Sequence, residues 1–430
     1  MQQAGTVRKN SGSAVPGKPG IPDKSDKSVK KAHRNWRGRA KKDRKNDDPN
    51  KIGFWGKGNV DIPMLILIFV LLIFGITMMF SAGHALSYRE NGDSFAYTVK
   101  QMIAAGIGLA VMVFFCFFDY RWLRKERHLG RFKFTWAHIV FMLTIFINLL
   151  CIPFGVANEG GQKRWLKIPL FGTFQPSDFL KIGLIIFMAY YIHKNADVMR
   201  KFYYGLFKPG LIMLILVAVM MSQTHLSGLL IMLAVCACML FVGGVNMKPA
   251  LIAVGLAAVV VIIGVSLSGA DYFGDRIAYM DPLSDPGNKS YQNYQSALAI
   301  GSGGFWGKGF GNSSQKYYYL PEAQNDFVYA VLCEEFGFVG GAMVILLFVV
   351  FVMRGFYIAR KAEDRFGCLI ATGITFQIGL QALLNIGVNL CCIPNTGISL
   401  PFFSYGGTAL MLQLWEMGLL LSVSKRSKLK

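Results

Sequence analysis

Residues 320–341, LPEAQNDFVYAVLCEEFGFVGG, decide the fold. A polar stretch ends at Asn325-Asp326, and an apolar helical pattern then runs over about 327–353, long enough to cross a hydrocarbon core about 30 Å thick. Asp326 therefore stands at the seam between a long polar connection and a membrane-spanning helix. Apolar walls beside a lone carboxylate raise its pKa and make it a better proton acceptor near neutral pH. Glu334 and Glu335 follow two turns into the helix, where pairing with a base or setting the helix orientation fits them better than chemistry does.

Outward from this stretch, apolar runs recur at 62–82, 97–118, 135–155, 177–193, 209–222, 226–243, 248–268, 327–353, 366–391 and 402–423. With 53% hydrophobic and 16% charged residues, the chain departs from soluble proteins, which are about 25% charged. The expected fold is all-α: an integral membrane protein of about ten transmembrane helices, with a large outer loop between helices 7 and 8. Only Gln223-Thr224-His225 separates the fifth and sixth runs, so these form a tight hairpin. His225 reads as a loop residue bonding to backbone. Asn385 and Asn389, at i, i+4 on the ninth run, read as interhelical hydrogen-bonding groups. Glu416, in the tenth run, has no role legible from its neighbours.

The net charge of +21 is concentrated at one end: 16 of the 45 Lys and Arg precede residue 60, against five acids. Residues 1–57 have almost no aliphatics and read as a disordered basic cytoplasmic tail, suited to anionic lipids. The tail lacks any nucleic-acid-binding module, so no nucleic acid is expected as a partner. Residues 58–425 form the transmembrane domain, and 426–430 a basic cytoplasmic end. The eight cysteines fall mostly within apolar runs and show no metal or disulfide spacing. No signal peptide opens the chain, so the first apolar run serves as an uncleaved anchor. Lys and Arg crowd alternate loops, above all RWLRKERHLGRFK at 121–133, which places both termini in the cytoplasm and Asp326 outside.

The connection 269–326 is too long for a simple turn and reads as a working surface. Its GSGGFWGKGFGNS segment, 301–313, lets backbone approach another segment closely, but it follows no strand and matches no dinucleotide or P-loop pattern. The fourth run opens QPSDFLK, with Pro176 and Asp178 marking a helix start and Asp178 facing Lys181 at i, i+3. Lys163, Arg164 and Lys167 lie just before it. This cluster suits an anionic phosphate head group, or else Asp178–Lys181 is a structural pair and the other bases snorkel. The last outer connection, IPNTGISLPFFSYGGTAL at 393–410, has the Gly and Pro density of a shaped re-entrant backbone.

Three blocks, RWLKIPLFGTFQPSDFLK at 164–181, residues 291–341 and NTGISLPFFSYGGTAL at 395–410, resemble the signatures of the shape, elongation, division and sporulation family, closer to its division and sporulation branch than to its elongation branch. The likeness covers residues 60–425. It implies a ten-helix bacterial membrane enzyme that polymerises peptidoglycan from lipid II beside a class B penicillin-binding protein (a transpeptidase) and divisome or sporulation membrane proteins. It places the catalytic base at Asp326 and the pyrophosphate-binding cations at Arg164 and Lys181, with Lys167 a weaker match. Asp178, Glu322, Gln324, Glu335 and Ser404 are expected in support.

The chain departs from the family pattern in having Gln324-Asn325 where the family has His-Thr, Asp178 where it has Glu, and Thr224-His225-Leu226-Ser227-Gly228 where it has Pro-Asp-Leu-Gly-Thr. How Asp326 is oriented, and whether a divalent cation (Mg or Mn) takes part, are left open. A lipid II flippase and a noncatalytic scaffold recruiting a transpeptidase are the alternatives, and neither needs an outward carboxylate base.

Overall fold

The computed structural model describes residues 54–427, apart from 57, 130–131, 158–162, 169–171, 224, 247–279 and 284–289. Its helices are α1 (Ile62–Asn91), α2 (Ala96–Phe117), α3 (Trp136–Leu149, continued by the turn Cys151–Phe154), α4 (Pro176–Lys194), α5 (Lys208–Met221), α6 (Leu226–Val242), α7 (Tyr291–Gly303), α8 (Val328–Lys361), α9 (Arg365–Asn389) and α10 (Gly407–Lys425). Nine of the ten expected apolar runs coincide with α1–α6 and α8–α10; the run 248–268 lies outside the described residues. Among the described residues, seven helices are long and apolar enough to cross a membrane. The protein is a mostly helical, multi-pass membrane protein.

Burial sorts the helices. α9 is enclosed along most of its length, packing against α4, α6, α8 and α10. Its 1.6 hydropathy is modest beside the 2.8 of α1, because protein rather than lipid surrounds it and polar side chains there find partners. The α2–α10 seam is close because Gly108 and Gly418 face each other's helices: a Cβ at Gly108 would stand 2.6 Å from Leu414 Cδ1, and one at Gly418 2.6 Å from Met112 O. Small residues give packing where apolar lipid supplies no driving force.

Both ends of the described chain meet at one end of the bundle. Asp61 caps α1 by accepting from Met64 N at 2.9 Å and binds Arg354 at 3.0 and 2.6 Å. Asp364 caps α9 by accepting from Gly367 N at 2.8 Å, and also pairs with Arg124 at 3.1 Å. Residues 54–56, assigned from sequence to the disordered tail, are held here instead: Gly56 N donates to Phe117 O at 2.7 Å, and the Phe54 ring packs edge-on against Phe118 and Trp122. Edge-on ring contacts and a backbone bond hold the tail's last residues against α2.

The opposite end carries the long connections and differs from the sequence reading in three respects. The 269–326 connection contains a helix, α7, packed on α8. The last span begins at Gly407, not at 402, because residues 393–406 run as a non-helical segment with Leu400, Phe402 and Phe403 at 1%, 2% and 0% exposure. Gly75 on α1 makes room for it, since a Cβ there would lie 2.3 Å from Phe402 O. Third, α8 is broken at Gly337 (φ 66°, ψ −161°). The glycine-rich loop fills the break: Lys308 N and Gly309 N donate to the carbonyls of Glu334 and Glu335, while Phe338 N and Val339 N donate to those of Gly304 and Phe305. Backbone groups freed by the kink are thus satisfied within the protein, as the membrane requires.

Candidate active site at the loop end

Asp326 sits on a turn at the start of α8. Glu322 adopts φ 55°, and its carbonyl accepts from Asn325 N at 2.9 Å and Asp326 N at 3.2 Å. Asn385 and Asn389, one turn apart on α9, both donate to Asp326 O, at 2.8 and 2.9 Å. Asn389 Oδ1 also accepts from Ala330 N at 3.0 Å, a first-turn amide of α8 that is shared with Phe327 O at 3.1 Å. Asn385 donates again to Ile398 O at 2.7 Å. The two asparagines thus do more than join helices: they fix the backbone of the acid. An i, i+4 pair of amides on an enclosed helix was the available signal, but its partner was not legible.

The last connection closes over this turn. Ser404 Oγ accepts from Leu400 N at 2.7 Å and donates to Asn325 O, while Tyr405 N donates to Gln324 O at 2.8 Å. A Cβ at Gly397 (φ 62°) would lie 3.6 Å from Asp326 Oδ2, so the segment passes directly above the carboxylate. Burial raises the Asp326 carboxyl from 3.8 to about 7, and the negative charge of Glu322 adds to the effect. Glu322 itself is exposed and accepts from Asn325 Nδ2. Gln324 is buried and bound through its backbone to Tyr405.

The cations gather on α4 and on a small antiparallel sheet, β3 (Val156–Ala157), β4 (Lys163–Ile168) and β5 (Gly172–Phe174); these are the third to fifth strands, after β1 (Glu126–Leu129) and β2 (Phe132–Thr135) at the basic end. Lys181 pairs with Asp178 at 2.8 Å, and half-buried Arg164 donates from Nε to Gln223 O at 3.2 Å. Lys167, on the same strand as Arg164, is exposed. His225 is not the backbone-bound loop residue that the sequence suggested: its Nε2 meets Gln175 Nε2 at 3.0 Å. Burial, with the Arg164 and Lys181 charges and against Asp178, lowers its pKa to about 4, so the ring is neutral. Its place was recoverable from the hairpin reading, which brings residues 223–225 to the same boundary as 163–167.

Residues 395–406 join the two groups. Thr396 O accepts from Ser227 Oγ beside His225, Gly397 covers Asp326, Ser399 lines a cavity with Lys181, and Ser404 holds Asn325. Glu335 lies apart from these contacts, beneath the glycine-rich loop, bound by Lys316 at 2.9 Å and Ser81 at 2.6 Å. Glu334 beside it binds Lys308 at 2.6 Å. Among the described residues no three His, Cys, Asp or Glu side chains are grouped, so a divalent cation here would be held by one or two carboxylates and substrate phosphate oxygens.

The arrangement pairs a proton acceptor with fixed cations under one shaped segment, and known proteins share the chain's sequence and fold. The profile of the FtsW/RodA/SpoVE cell cycle proteins matches residues 62–429. A relative from Geobacter sp. (strain M18), named "Probable peptidoglycan glycosyltransferase FtsW", is 36% identical over 86% of this chain and 97% of its own. Stage V sporulation protein E of Bacillus subtilis (strain 168) is 36% identical over 86% of this chain and 99% of its own. Among solved structures, a chain from a peptidoglycan synthase complex that coordinates polymerization and crosslinking superposes with a TM-score of 0.67 at 26% identity, covering 85% of this chain and 97% of that one. The rod shape determining protein RodA of Thermus thermophilus shares the fold, with a TM-score of 0.61 at 24% identity over 86% and 98%. With a family profile spanning nearly all of the described chain and relatives matched end to end, the protein belongs to the FtsW/RodA/SpoVE family.

Proposed function

We propose that this chain is a peptidoglycan glycosyltransferase that extends glycan strands from lipid II at the outer face of the bacterial cytoplasmic membrane. The observation that carries the reading is Asp326: a carboxylate raised to about 7 by burial and Glu322, fixed through its backbone, at the mouth of a membrane bundle. In the reaction, the 4-hydroxyl of one lipid-linked disaccharide gives its proton to Asp326 as its oxygen bonds to the anomeric carbon of another sugar. The bond from that carbon to undecaprenyl pyrophosphate breaks, and the departing negative charge falls to Arg164 and Lys181. Asp178 holds Lys181 in place, and grooves between apolar helices accommodate the polyprenyl tails.

Incubating the purified protein with lipid II, with and without a class B penicillin-binding protein, and resolving the products on a gel tests the proposal. Glycan polymer is the expected product; movement of lipid II across the bilayer without polymer would instead support a flippase. Arg164→Ala and Lys181→Ala are each expected to slow polymerisation by roughly 10²-fold while the protein still inserts. Parental rates in both would make these cations structural.

The Lys and Arg bias supports cytoplasmic termini, a basic tail against anionic lipids, and the loop end outside, where divisome or sporulation proteins meet it. Cys392 is exposed at the loop end, so the orientation is checked in a Cys392→Ser background. There, a thiol introduced by Ser302→Cys should react with a membrane-impermeant maleimide in intact cells. Labelling only after permeabilisation would reverse the orientation.

A further inference from the structure

The cavity beside Lys181 holds polar groups that the proposed reaction does not use. It is lined by Asp178 and Lys181 of α4, Gln377 and Gln381 of α9, and Gln413 and Glu416 of α10, with Ser399 of the last connection beside them. Gln377, Gln381 and Glu416 are 2%, 4% and 2% exposed. Gln377 Nε2 donates to Glu416 Oε1 at 2.7 Å, which orients that amide. Three oxygens on these walls are left with no hydrogen-bond donor: Glu416 Oε2, Gln377 Oε1 and Gln381 Oε1. Three other polar groups of the cavity are engaged. Asp178 and Lys181 hold each other at 2.8 Å, and Gln413 Oε1 accepts from Phe402 N at 3.0 Å.

Both charge and acceptor count call for a ligand. The two other charges facing Glu416 are Lys181 and Asp178, which pair with each other and leave the Glu416 carboxyl without an ion-pair partner of its own. Glu416 lies midway along α10, and a buried unpaired carboxylate at membrane depth is costly. Buried acceptors without donors need a partner of their own. A proton on Glu416 Oε2 would satisfy one amide oxygen and leave the other. A proton there with one water bridging the two amide oxygens is the competing occupancy, which stabilisation by acid alone would detect. A small monovalent cation takes all three oxygens at once and cancels the charge. A divalent ion would leave one positive charge uncompensated in a buried cavity.

We propose that this cavity is a binding site for one monovalent cation of sodium's size, coordinated by Glu416 Oε2, Gln377 Oε1 and Gln381 Oε1. The site rests on the cavity alone and holds whether or not the chain polymerises glycan. With the cation in place, Glu416 no longer draws on Lys181, which stays available to an anionic ligand at the mouth.

The test is thermal unfolding of the full chain in zwitterionic-lipid nanodiscs, titrating sodium chloride against N-methylglucamine chloride at constant ionic strength. A ligand bound only by the folded state raises the midpoint as its concentration passes its dissociation constant. The expected result is a sodium-dependent rise of several degrees, lost in Glu416→Gln and shifted to at least tenfold higher sodium in Gln381→Met. The second variant keeps every charge and removes one coordinating oxygen, so it carries the test should Glu416→Gln fail to fold. The site is overturned if lithium, sodium and potassium all leave the parental midpoint unchanged, or if the variant curves match the parental one. Stabilisation by acid alone, with no cation effect, would also overturn it by making the ligand a proton.

Discussion

Asp326→Asn is expected to lower glycan polymerisation from purified lipid II by about 10² to 10⁴-fold, the usual contribution of a positioned general base. The substitution keeps the side chain's shape, and the bonds that seat this residue are made by its backbone: Asn385 and Asn389 donate to Asp326 O, and Asp326 N donates to Glu322 O. Expression and binding to a transpeptidase should therefore change little. Glu322→Gln, four residues earlier and exposed, should retain measurable activity. Full-length polymer from the Asn variant would refute the assignment, and a dead Glu322→Gln beside an active Asp326→Asn would move the base to Glu322.

The same carboxyl sets a pH dependence with a definite sign. With its pKa raised from 3.8 to about 7, Asp326 is competent as a base only once deprotonated, so the rate should climb as pH passes about 7. Stability runs the other way. A raised folded-state pKa contributes stability that is fully present below about 3.8 and lost as pH rises through about 7. Because the Glu322 charge helps raise the carboxyl, Glu322→Gln should move the rising limb of the rate profile to lower pH. An unmoved limb would mean that another group titrates.

The second large effect is on stability. Lys316 and Glu335 form an ion pair at 2.9 Å with both side chains 0% exposed, and Lys316 Nζ also donates to Gly311 O at 2.6 Å and Ser81 Oγ at 3.2 Å. Lys316→Met strands a buried carboxylate, which costs roughly 3–5 kcal/mol. The expected observation is a marked drop in thermal midpoint in detergent, with most of the loss recovered in the double variant Lys316→Met/Glu335→Met. A single variant melting with the parent would show that the pair does not hold the loop.

Much of this architecture is legible in the sequence, because length and hydropathy dictate spans and a lone Asp at the edge of an apolar run has few benign explanations. The start of α8 two residues after Asp326, and the Asp178–Lys181 pair, follow from spacing alone. The break in α8 does not: Gly337 reads as one more small residue in a helix, and only a loop thirty residues earlier supplies the backbone partners that make a kink tolerable. The bonds from Asn385 and Asn389 to Asp326 O, and the meeting of Gln377 and Glu416, are contacts between elements distant in sequence. Pattern identifies such polar residues as unusual without saying what they touch. The sequence assigns His225 a backbone partner because a short turn offers one close by, whereas its ring meets the Gln175 side chain fifty residues earlier.

A helix broken at glycine ordinarily swivels. In α8 the break is riveted, because the four backbone bonds between residues 304–309 and 334–339 hold both sides of Gly337 to one loop. The short piece of α8 that begins just after Asp326 is therefore a fixed anvil, and tilting it would require the glycine-rich loop to travel with it. On the proposal that Asp326 is the base, substrate and product move past an acid that keeps its place. The amides of Lys308, Gly309, Phe338 and Val339 should exchange with solvent as slowly as those in the middle of the bundle.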